Sequence, residues 1–296
     1  MFILAHLTDP HLAPLPTPRL ADLAGKRMLG YLNWRRSRFR IHRTEQLDVL
    51  VRDLKAQAPD HIAVTGDLVN IALAAEFARA RAWLQALGAP RDVTLVPGNH
   101  DAYVGAALAM QAAHWHDYMR DDGANSDALR FPFVRRRGPL ALIGLSTAVP
   151  TGPLMATGRL GAAQIDRLDA LLGELADHCR VVLIHHPPKS PHSRFKRLVD
   201  AADLIAVLRR RGAELLLHGH DHVHALEWLD GPDRPIPALG VPSASASGDD
   251  VERAAYNLYR IEGSAGAWRC EAVTRGLRAD GGEVVELMRR DLARPA

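Results

Sequence analysis

The stretch VTLVPGNHD, residues 93–101, joins a short apolar run to a polar turn. A run of four mostly β-branched or aliphatic residues that ends at proline and glycine is typical of a buried strand. Asn99, His100 and Asp101 follow where this predicted strand ends. Ligands of open α/β sheets bind outside the carboxyl ends of the strands, so we expect these three side chains to face a functional site.

Outward from this stretch, apolar runs alternate with segments that have the apolar spacing of helices. The predicted strands are Phe2–Leu7, Ile62–Thr65, Val93–Val96, Leu140–Leu145, Val181–Ile184 and Leu215–Leu217. The predicted helices are one over Leu47–Leu54 with Thr44 as its cap, and Ala74–Leu87, Ala106–Met119, Ala162–Leu175 and Ala201–Arg210. Such alternation predicts a layered α/β architecture. Beyond Leu226, segments such as Tyr256–Ile261 and Ala267–Val273 predict antiparallel strands.

The composition is that of a packed globular protein, with 47% hydrophobic and 24% charged residues among 296. Without a repeat or a linker-like segment, residues 1–296 are predicted to form a single domain. Two cysteines are too few for a disulfide framework and favour a reducing compartment. The short apolar run Phe2–Leu7 lacks a basic region before it and is not typical of a signal peptide. These features predict a cytoplasmic protein.

The net charge of +3 hides a local concentration of positive charge. Between Arg19 and Arg43 there are eight Lys/Arg residues and one acid, which leaves a net charge of −4 for the remainder. We predict a basic helical insertion at about residues 15–43 that covers the site like a cap. Proteins that bind nucleic acids in general spread their positive charge along a recognition surface, so no stable nucleic-acid partner is expected.

Five short polar motifs follow predicted strands. They are Asp9-Pro10-His11, Gly66-Asp67, Gly98-Asn99-His100-Asp101, His185-His186-Pro187 and Gly219-His220-Asp221-His222. Each alone has an ordinary structural explanation as a turn, a loop or a buried histidine. Together they supply carboxylate, imidazole and carboxamide groups, a mixture that suits Mn, Fe, Zn or Co better than calcium.

This ordered set resembles the calcineurin-like metallophosphoesterase family, whose pattern is D-x-H, G-D, G-N-H-[DE], H and G-H-x-H. The resemblance spans roughly residues 3–224. The short chain and the His-His-Pro-Pro run before Lys189 are most similar to bacterial cyclic-nucleotide phosphodiesterase-like members. The resemblance implies a four-layer αββα sandwich of two mixed sheets, with a dinuclear metal site at the carboxyl ends of the strands.

The resemblance also implies roles for individual residues. One divalent ion is bound by Asp9, His11 and His222, the other by Asn99, His185 and His220, and both by Asp67. His186 and His224 are expected to lie outside the ligand set. A hydroxide that bridges the two ions is the implied nucleophile.

In the same family pattern, Asn99 and His100 bind the substrate phosphate, His100 donates a proton to the leaving oxygen, and Asp101 orients His100. The alternatives are that His100 only packs beside the ligand loop and that Asp101 caps the following helix.

The metal motifs do not select a substrate. A phosphodiesterase that acts on a cyclic nucleotide or small phosphodiester ranks first. A pyrophosphatase that acts on a nucleotide-linked lipid is the enzymatic alternative, because Met28, Leu29, Tyr31, Leu32 and Trp34 adjoin the basic run. A scaffold without activity is a further alternative. Arg35, Arg36 and Arg38 are candidates to bind an anionic substrate or an acidic membrane, and a solvated helix face is the simpler interpretation. The oligomeric state does not follow from the sequence.

Overall fold

Twelve strands form two six-stranded sheets in the computed structural model, which describes residues 1–124, 128–190, 194–248, 250–278 and 282–293. The strands are β1 (Phe2–Leu7), β2 (His61–Val64), β3 (Val93–Leu95), β4 (Phe133–Arg137), β5 (Leu140–Gly144), β6 (Cys179–Leu183), β7 (Leu215–His218), β8 (Ala225–Leu229), β9 (Ile236–Gly240), β10 (Ala255–Glu262), β11 (Arg269–Leu277) and β12 (Val284–Asp291).

Both sheets are mixed. The first sheet has the order β12-β11-β10-β1-β2-β3, in which β1, β2 and β3 are parallel and β10, β11 and β12 continue antiparallel. The second sheet has the order β4-β5-β6-β7-β9-β8, in which β5, β6, β7 and β9 are parallel and an antiparallel strand lies at each edge. The parallel strands of each sheet therefore end at a common edge.

The residues of the second sheet alternate between two apolar cores. Leu140 and Leu142 pack with residues of the first sheet, whereas Ala141 and Ile143 pack in a separate core. That second core includes Leu168 and Leu204 from the helices that cover the outer face. Because successive strand side chains point to opposite faces, this sheet lies between the first sheet and a helical layer.

The helices are α1 (Lys26–Asn33), α2 (Phe39–Ile41), α3 (Thr44–Ala56), α4 (Ala74–Leu87), α5 (Ala107–Trp115), α6 (Ala162–Glu174) and α7 (Ala201–Arg211). Leu50 of α3 and Phe77 of α4 are buried in the core of the first sheet. Helices α6 and α7 cover the second sheet. The predicted αββα sandwich of two mixed sheets is confirmed.

Local differences from the prediction have local causes. Thr44 does not cap α3, because its hydroxyl group donates to the carbonyl oxygen of Ala13 at 2.7 Å and the helix already begins at Thr44. Helix α5 ends at Trp115, before a 3₁₀ turn over His116–Tyr118. Among the described residues, no helix combines the length and apolarity needed to cross a bilayer.

Candidate active site

Loops that follow five parallel strands bring the predicted metal ligands together at one edge of the sandwich. The chain turns sharply there, and five of these residues have positive φ angles although they carry side chains. They are Asp9 (50°), His11 (36°), Asp67 (56°), His220 (72°) and His222 (57°). Such backbone conformations are costly for residues other than glycine and cluster at functional sites. The fold thus maintains a strained arrangement that aims these side chains inward.

Two glycines of the motifs allow the loops to approach one another. A Cβ atom on Gly98 would collide with the Asp67 carboxylate, and one on Gly219 would lie 2.5 Å from Asp9 Oδ2. Neither glycine has a positive φ, unlike Gly66 at 95°. The two glycines are therefore required for space and not for an unusual backbone angle.

Asp9, His11 and His222 form the first group of donors. The distance from His222 Nε2 to Asp9 Oδ1 is 3.1 Å, and that from His11 Nε2 to the same oxygen is 3.8 Å. The two Nε2 atoms of His11 and His222 are 3.4 Å apart. Donor atoms this close could all contact a single ion.

Asp67, Asn99, His185 and His220 form the second group. Asn99 Oδ1 lies 3.1 Å from His185 Nε2 and 2.9 Å from His220 Nδ1. Asp67 Oδ2 lies 3.4 Å from His185 Nε2 and 3.9 Å from His11 Nε2. Asp67 thus faces both groups, as a bridging ligand must.

Hydrogen bonds behind the site orient these donors. His185 Nδ1 donates to the Thr65 carbonyl oxygen at 2.7 Å, and His220 Nε2 donates to that of Lys196 at 2.7 Å. Asp9 Oδ2 accepts from Thr8 Oγ1 at 2.7 Å, which leaves Oδ1 for the site. A ring nitrogen that donates outward leaves the inward nitrogen free to bind a metal ion.

The electrostatics of the site favour a cation. Burial lowers the pKa of His185, but the nearby carboxylates of Asp67 and Asp9 outweigh that effect and raise it to about 10. For His220, burial and the neighbouring histidines lower the pKa well below its usual value. The mixed nitrogen and oxygen donors fit a pair of divalent transition metals.

Arg38 connects His100 to the first group of donors. Its guanidinium donates to His100 Nε2 and to His11 Nε2, both at 2.8 Å. His100 Nδ1 donates to the Asn70 carbonyl oxygen at 2.5 Å. Burial and Arg38 together lower the pKa of His100 to about 3. The ring is therefore neutral at pH 7 in this arrangement, with Nε2 as an acceptor.

Asp101 differs from the expectation that it orients His100. Its carboxylate accepts from the backbone N–H groups of Asp67 (2.8 Å), Leu68 (2.9 Å), Val69 (3.2 Å) and Gly98 (2.9 Å). The Asn70 carbonyl oxygen orients the His100 ring instead. Asp101 does not cap α5 either, because that helix begins at Ala107. The carboxylate holds two ligand loops together.

Asp67, Asn99, His220 and His222 line a cavity of about 780 Å³. The other three donors, Asp9, His11 and His185, are fully buried. Helix α1 and the turns after it form one wall, so the basic segment lies beside the site. Of the three candidate arginines, Arg38 lines the cavity, whereas Arg35 lies over the Tyr31 ring at 6.0 Å and Arg36 is exposed. Arg38 is therefore the candidate arginine that the structure places at the site.

Three cavity residues lie outside the motifs. The His42 ring is centred 4.4 Å from that of His11, and Tyr103 stacks on His100 at 5.5 Å. Lys26 Nζ lies 4.4 Å from the centre of the Tyr103 ring. Sequence reasoning missed these residues because no short motif contains them.

His186 and His224 lie outside the donor cluster, although the ring of His186 is centred 4.2 Å from that of His220. His186 forms hydrogen bonds through Nδ1 to Thr147 Oγ1 at 2.7 Å and through Nε2 to the Ala156 carbonyl oxygen at 3.0 Å. The backbone N–H of His224 donates to Glu252 at 2.6 Å, and its side chain is not among the residues that line the cavity.

A sandwich of two mixed sheets with such a donor cluster at the strand ends defines a metallophosphoesterase. The calcineurin-like phosphoesterase family model matches residues 2–224, and the chain belongs to this family. A probable cyclic nucleotide phosphodiesterase from Synechococcus sp. is 25% identical over 225 residues, which cover 74% of this chain and 78% of that protein.

Two solved structures show the same fold at low identity. The purple acid phosphatase PPD1 from yellow lupin has a TM-score of 0.55 and 12% identity. The match covers 96% of this chain and 52% of the lupin enzyme. GAP50, described as the anchor in the inner membrane complex of Plasmodium, has a TM-score of 0.52 and 11% identity. The match covers 100% of this chain and 89% of GAP50. The present chain spans about half of the lupin enzyme.

Proposed function

We propose that this metallophosphoesterase is a phosphodiesterase that hydrolyses a cyclic nucleotide or another small phosphodiester. The observation that carries the proposal is the cluster of seven donor residues, four of which line a cavity of about 780 Å³ together with His100 and Arg38. The sequence similarity to a probable cyclic nucleotide phosphodiesterase supports the choice of substrate class.

Two divalent ions fit the donor set. One would be held by Asp9, His11 and His222, the other by Asn99, His185 and His220, with Asp67 shared. When bound, such ions polarise phosphoryl oxygens and lower the pKa of a water molecule. The hydrogen bonds to Thr65 and Lys196 keep the ligand histidines in the required tautomers.

We assign contact with the substrate phosphate to Asn99, His100 and Arg38. Arg38 offers a permanently charged group with several donors, which suits a phosphate oxygen. His100 Nε2 faces the same space, and Arg38 is the donor that it now accepts. Transfer of Arg38 to the substrate would free Nε2 to take up a proton from solvent, and the ring would then give that proton to the leaving oxygen and return to its neutral form.

The test uses metal-stripped protein supplied with Mn, Fe, Zn or Co. We expect turnover of bis(p-nitrophenyl) phosphate and cyclic AMP that depends on the added metal and exceeds turnover of p-nitrophenyl phosphate. Asp67→Ala should abolish turnover and remove at least one ion per chain, while His224→Ala should retain both. Two tightly bound ions and near-normal turnover in Asp67→Ala would contradict the assignment of the bridging ligand.

A nucleotide-linked lipid pyrophosphate is the second candidate substrate. The observation in its favour is that Leu29, Leu154, Met155 and Val223 line the same cavity as the donor residues. Preference for a nucleotide-linked lipid over cyclic AMP in the same assay would support it. Absence of turnover on every phosphoester and metal would favour the scaffold alternative.

A further inference from the structure

Several large apolar side chains are exposed on the three segments that supply Leu29, Met155 and Lys196 to the wall of the cavity. The exposed fractions are 45% for Leu29, 54% for Leu32, 88% for Leu154, 38% for Met155 and 45% for Phe195. We call these five residues the apolar rim. Single exposed apolar residues are common on protein surfaces, but a group around a functional opening is typical of an interaction site.

The rim is continuous although three separate segments contribute to it. Lys26 of α1 donates to Thr151 Oγ1 at 2.7 Å and to the Met155 carbonyl oxygen at 3.1 Å, which joins α1 to the 151–155 turn. The backbone N–H of Ala156 donates to the Phe195 carbonyl oxygen at 2.8 Å. Leu29, Leu154 and Met155 also line the cavity together.

Positive charge accompanies the rim. Arg35, Arg36, Arg40 and Arg194 are exposed on the two segments that carry Leu32 and Phe195. Residues 26–41, 151–155 and 194–199 contain no aspartate or glutamate. Asp221, Asp250 and Glu252 of other segments line the opposite part of the cavity wall. On the three segments of the rim, exposed leucine and phenylalanine beside arginines complement a surface that is both apolar and anionic.

The two aromatic residues of α1 and the turn after it are not part of this surface. Tyr31 and Trp34 pack against a small core of Leu15, Leu23, Ile71 and Leu73. They fix the orientation of the helical segment, so Leu32, Arg35 and Arg36 are exposed together.

From these observations we propose that the apolar rim docks on an anionic lipid bilayer, with the opening of the active site toward the membrane. The inference rests on the proposed function, and among the substrates named there it favours phosphoesters carried in or delivered from a membrane over a soluble cyclic nucleotide. Leu32 and Phe195 would enter the interface, and Arg35 and Arg36 would contact the lipid phosphates.

The test is co-sedimentation of the Mn-loaded protein with vesicles of phosphatidylcholine, with or without phosphatidylglycerol. We expect binding to the anionic vesicles that weakens as salt is added. Leu32→Ser combined with Phe195→Ser should weaken binding roughly tenfold or more, because both apolar contacts are lost. Arg35→Gln combined with Arg36→Gln should reduce the preference for anionic vesicles.

The matched control is Leu108→Ser combined with Leu287→Ser, which alters side chains of similar exposure, 44% and 46%, away from the cavity opening. This control should bind like the unmodified protein, and all three double variants should retain turnover of bis(p-nitrophenyl) phosphate. Absence of vesicle binding by an active protein, or equal losses in the rim and control variants, would overturn the docking proposal. Vesicle binding without hydrolysis of any phosphoester would overturn the proposed function instead.

Discussion

Arg38 is one of five arginines between positions 35 and 43, and its contacts distinguish it from the others. It donates to His100 and His11, whereas Arg35 and Arg36 are exposed and do not line the cavity. We expect Arg38→Gln to lower kcat/KM for a phosphodiester about 10- to 100-fold, the effect of losing a charged hydrogen bond of about 1.5–3 kcal/mol.

The matched control for Arg38 is Arg35→Gln, which removes the same charge from an exposed position. Steady-state kinetics with a soluble diester should show little change for this control. Equal losses in the two variants would mean that the effect of Arg38 comes from general electrostatic attraction and not from contact at the site.

His100→Gln tests whether the ring participates in proton transfer. We expect both ions to remain bound and the rate to fall about 10²-fold, the usual scale for a positioned acid or base. The loss should be larger for an alkoxide leaving group than for p-nitrophenolate, because the better leaving group needs less protonation. An equal deficit for both, measured under saturating substrate, would restrict His100 to phosphate binding.

At the scale of the loops and helices, two buried carboxylates hold the backbone that carries the site. Asp101 accepts four backbone N–H groups, and Glu76 accepts those of Asn70 (2.6 Å), Ile71 (3.2 Å) and Leu73 (2.8 Å). Residues 67–73, whose backbone N–H groups these two carboxylates bind, supply Asp67 to the donor cluster and the Asn70 carbonyl oxygen to His100. The positions of Asp67 and His100 are therefore linked.

Asp101→Asn should weaken this support, since the amide cannot accept all four N–H groups. We expect a loss of about 1–3 kcal/mol in the free energy of unfolding, the usual cost of unsatisfied buried groups. Metal affinity should fall as well, because Asp67 loses its fixed position. Denaturant titration and metal analysis measure the two effects. Normal stability and metal binding in this variant would exclude the supporting role.

Helix α1 approaches the site closely because Gly30 has no side chain. A Cβ atom there would overlap the Tyr103 hydroxyl group and lie 2.8 Å from Ile71 Cγ2. Gly30→Ala should therefore displace α1 and Arg38 with it, lowering kcat/KM while both ions stay bound. Gly105→Ala is the control, since a Cβ atom at Gly105 would meet no atom within 4 Å. Unchanged kinetics in Gly30→Ala would show that α1 tolerates the shift.

The strands that precede the ligand motifs could be predicted from the sequence, because their apolar runs end directly at the polar residues of each motif, whereas β4, β8, β9 and β12 were not predicted. The direction in which the Arg38 side chain points could not be predicted. Residues Trp34–Arg38 form a π-helical turn, which changes the angle between successive side chains and breaks the 3.6-residue pattern. The contacts of Asp101 could not be predicted either, because its backbone partners other than Gly98 lie more than 30 positions away in the sequence.

At the scale of the whole molecule, two sheets must pack correctly before the site exists. The first sheet supplies Asp9, Asp67 and Asn99, and the second supplies His185, His220 and His222. Asp9 and His222, which meet at 3.1 Å, therefore come from different sheets. An ion that binds both sides of the sandwich binds the folded state and has no equivalent site in the unfolded chain.

Metal binding should consequently stabilise the fold as a whole. At a free metal concentration about 100 times Kd, the expected stabilisation is about 2.7 kcal/mol. For a chain of 296 residues, that corresponds to a rise in Tm of roughly 4 °C. Thermal unfolding of metal-stripped protein should show Tm increasing with added Mn. His224→Ala should respond like the unmodified protein, whereas Asp67→Ala should respond weakly because the shared ligand is absent. A Tm that stays constant while metal analysis shows both sites filling would contradict the linkage between the two sheets.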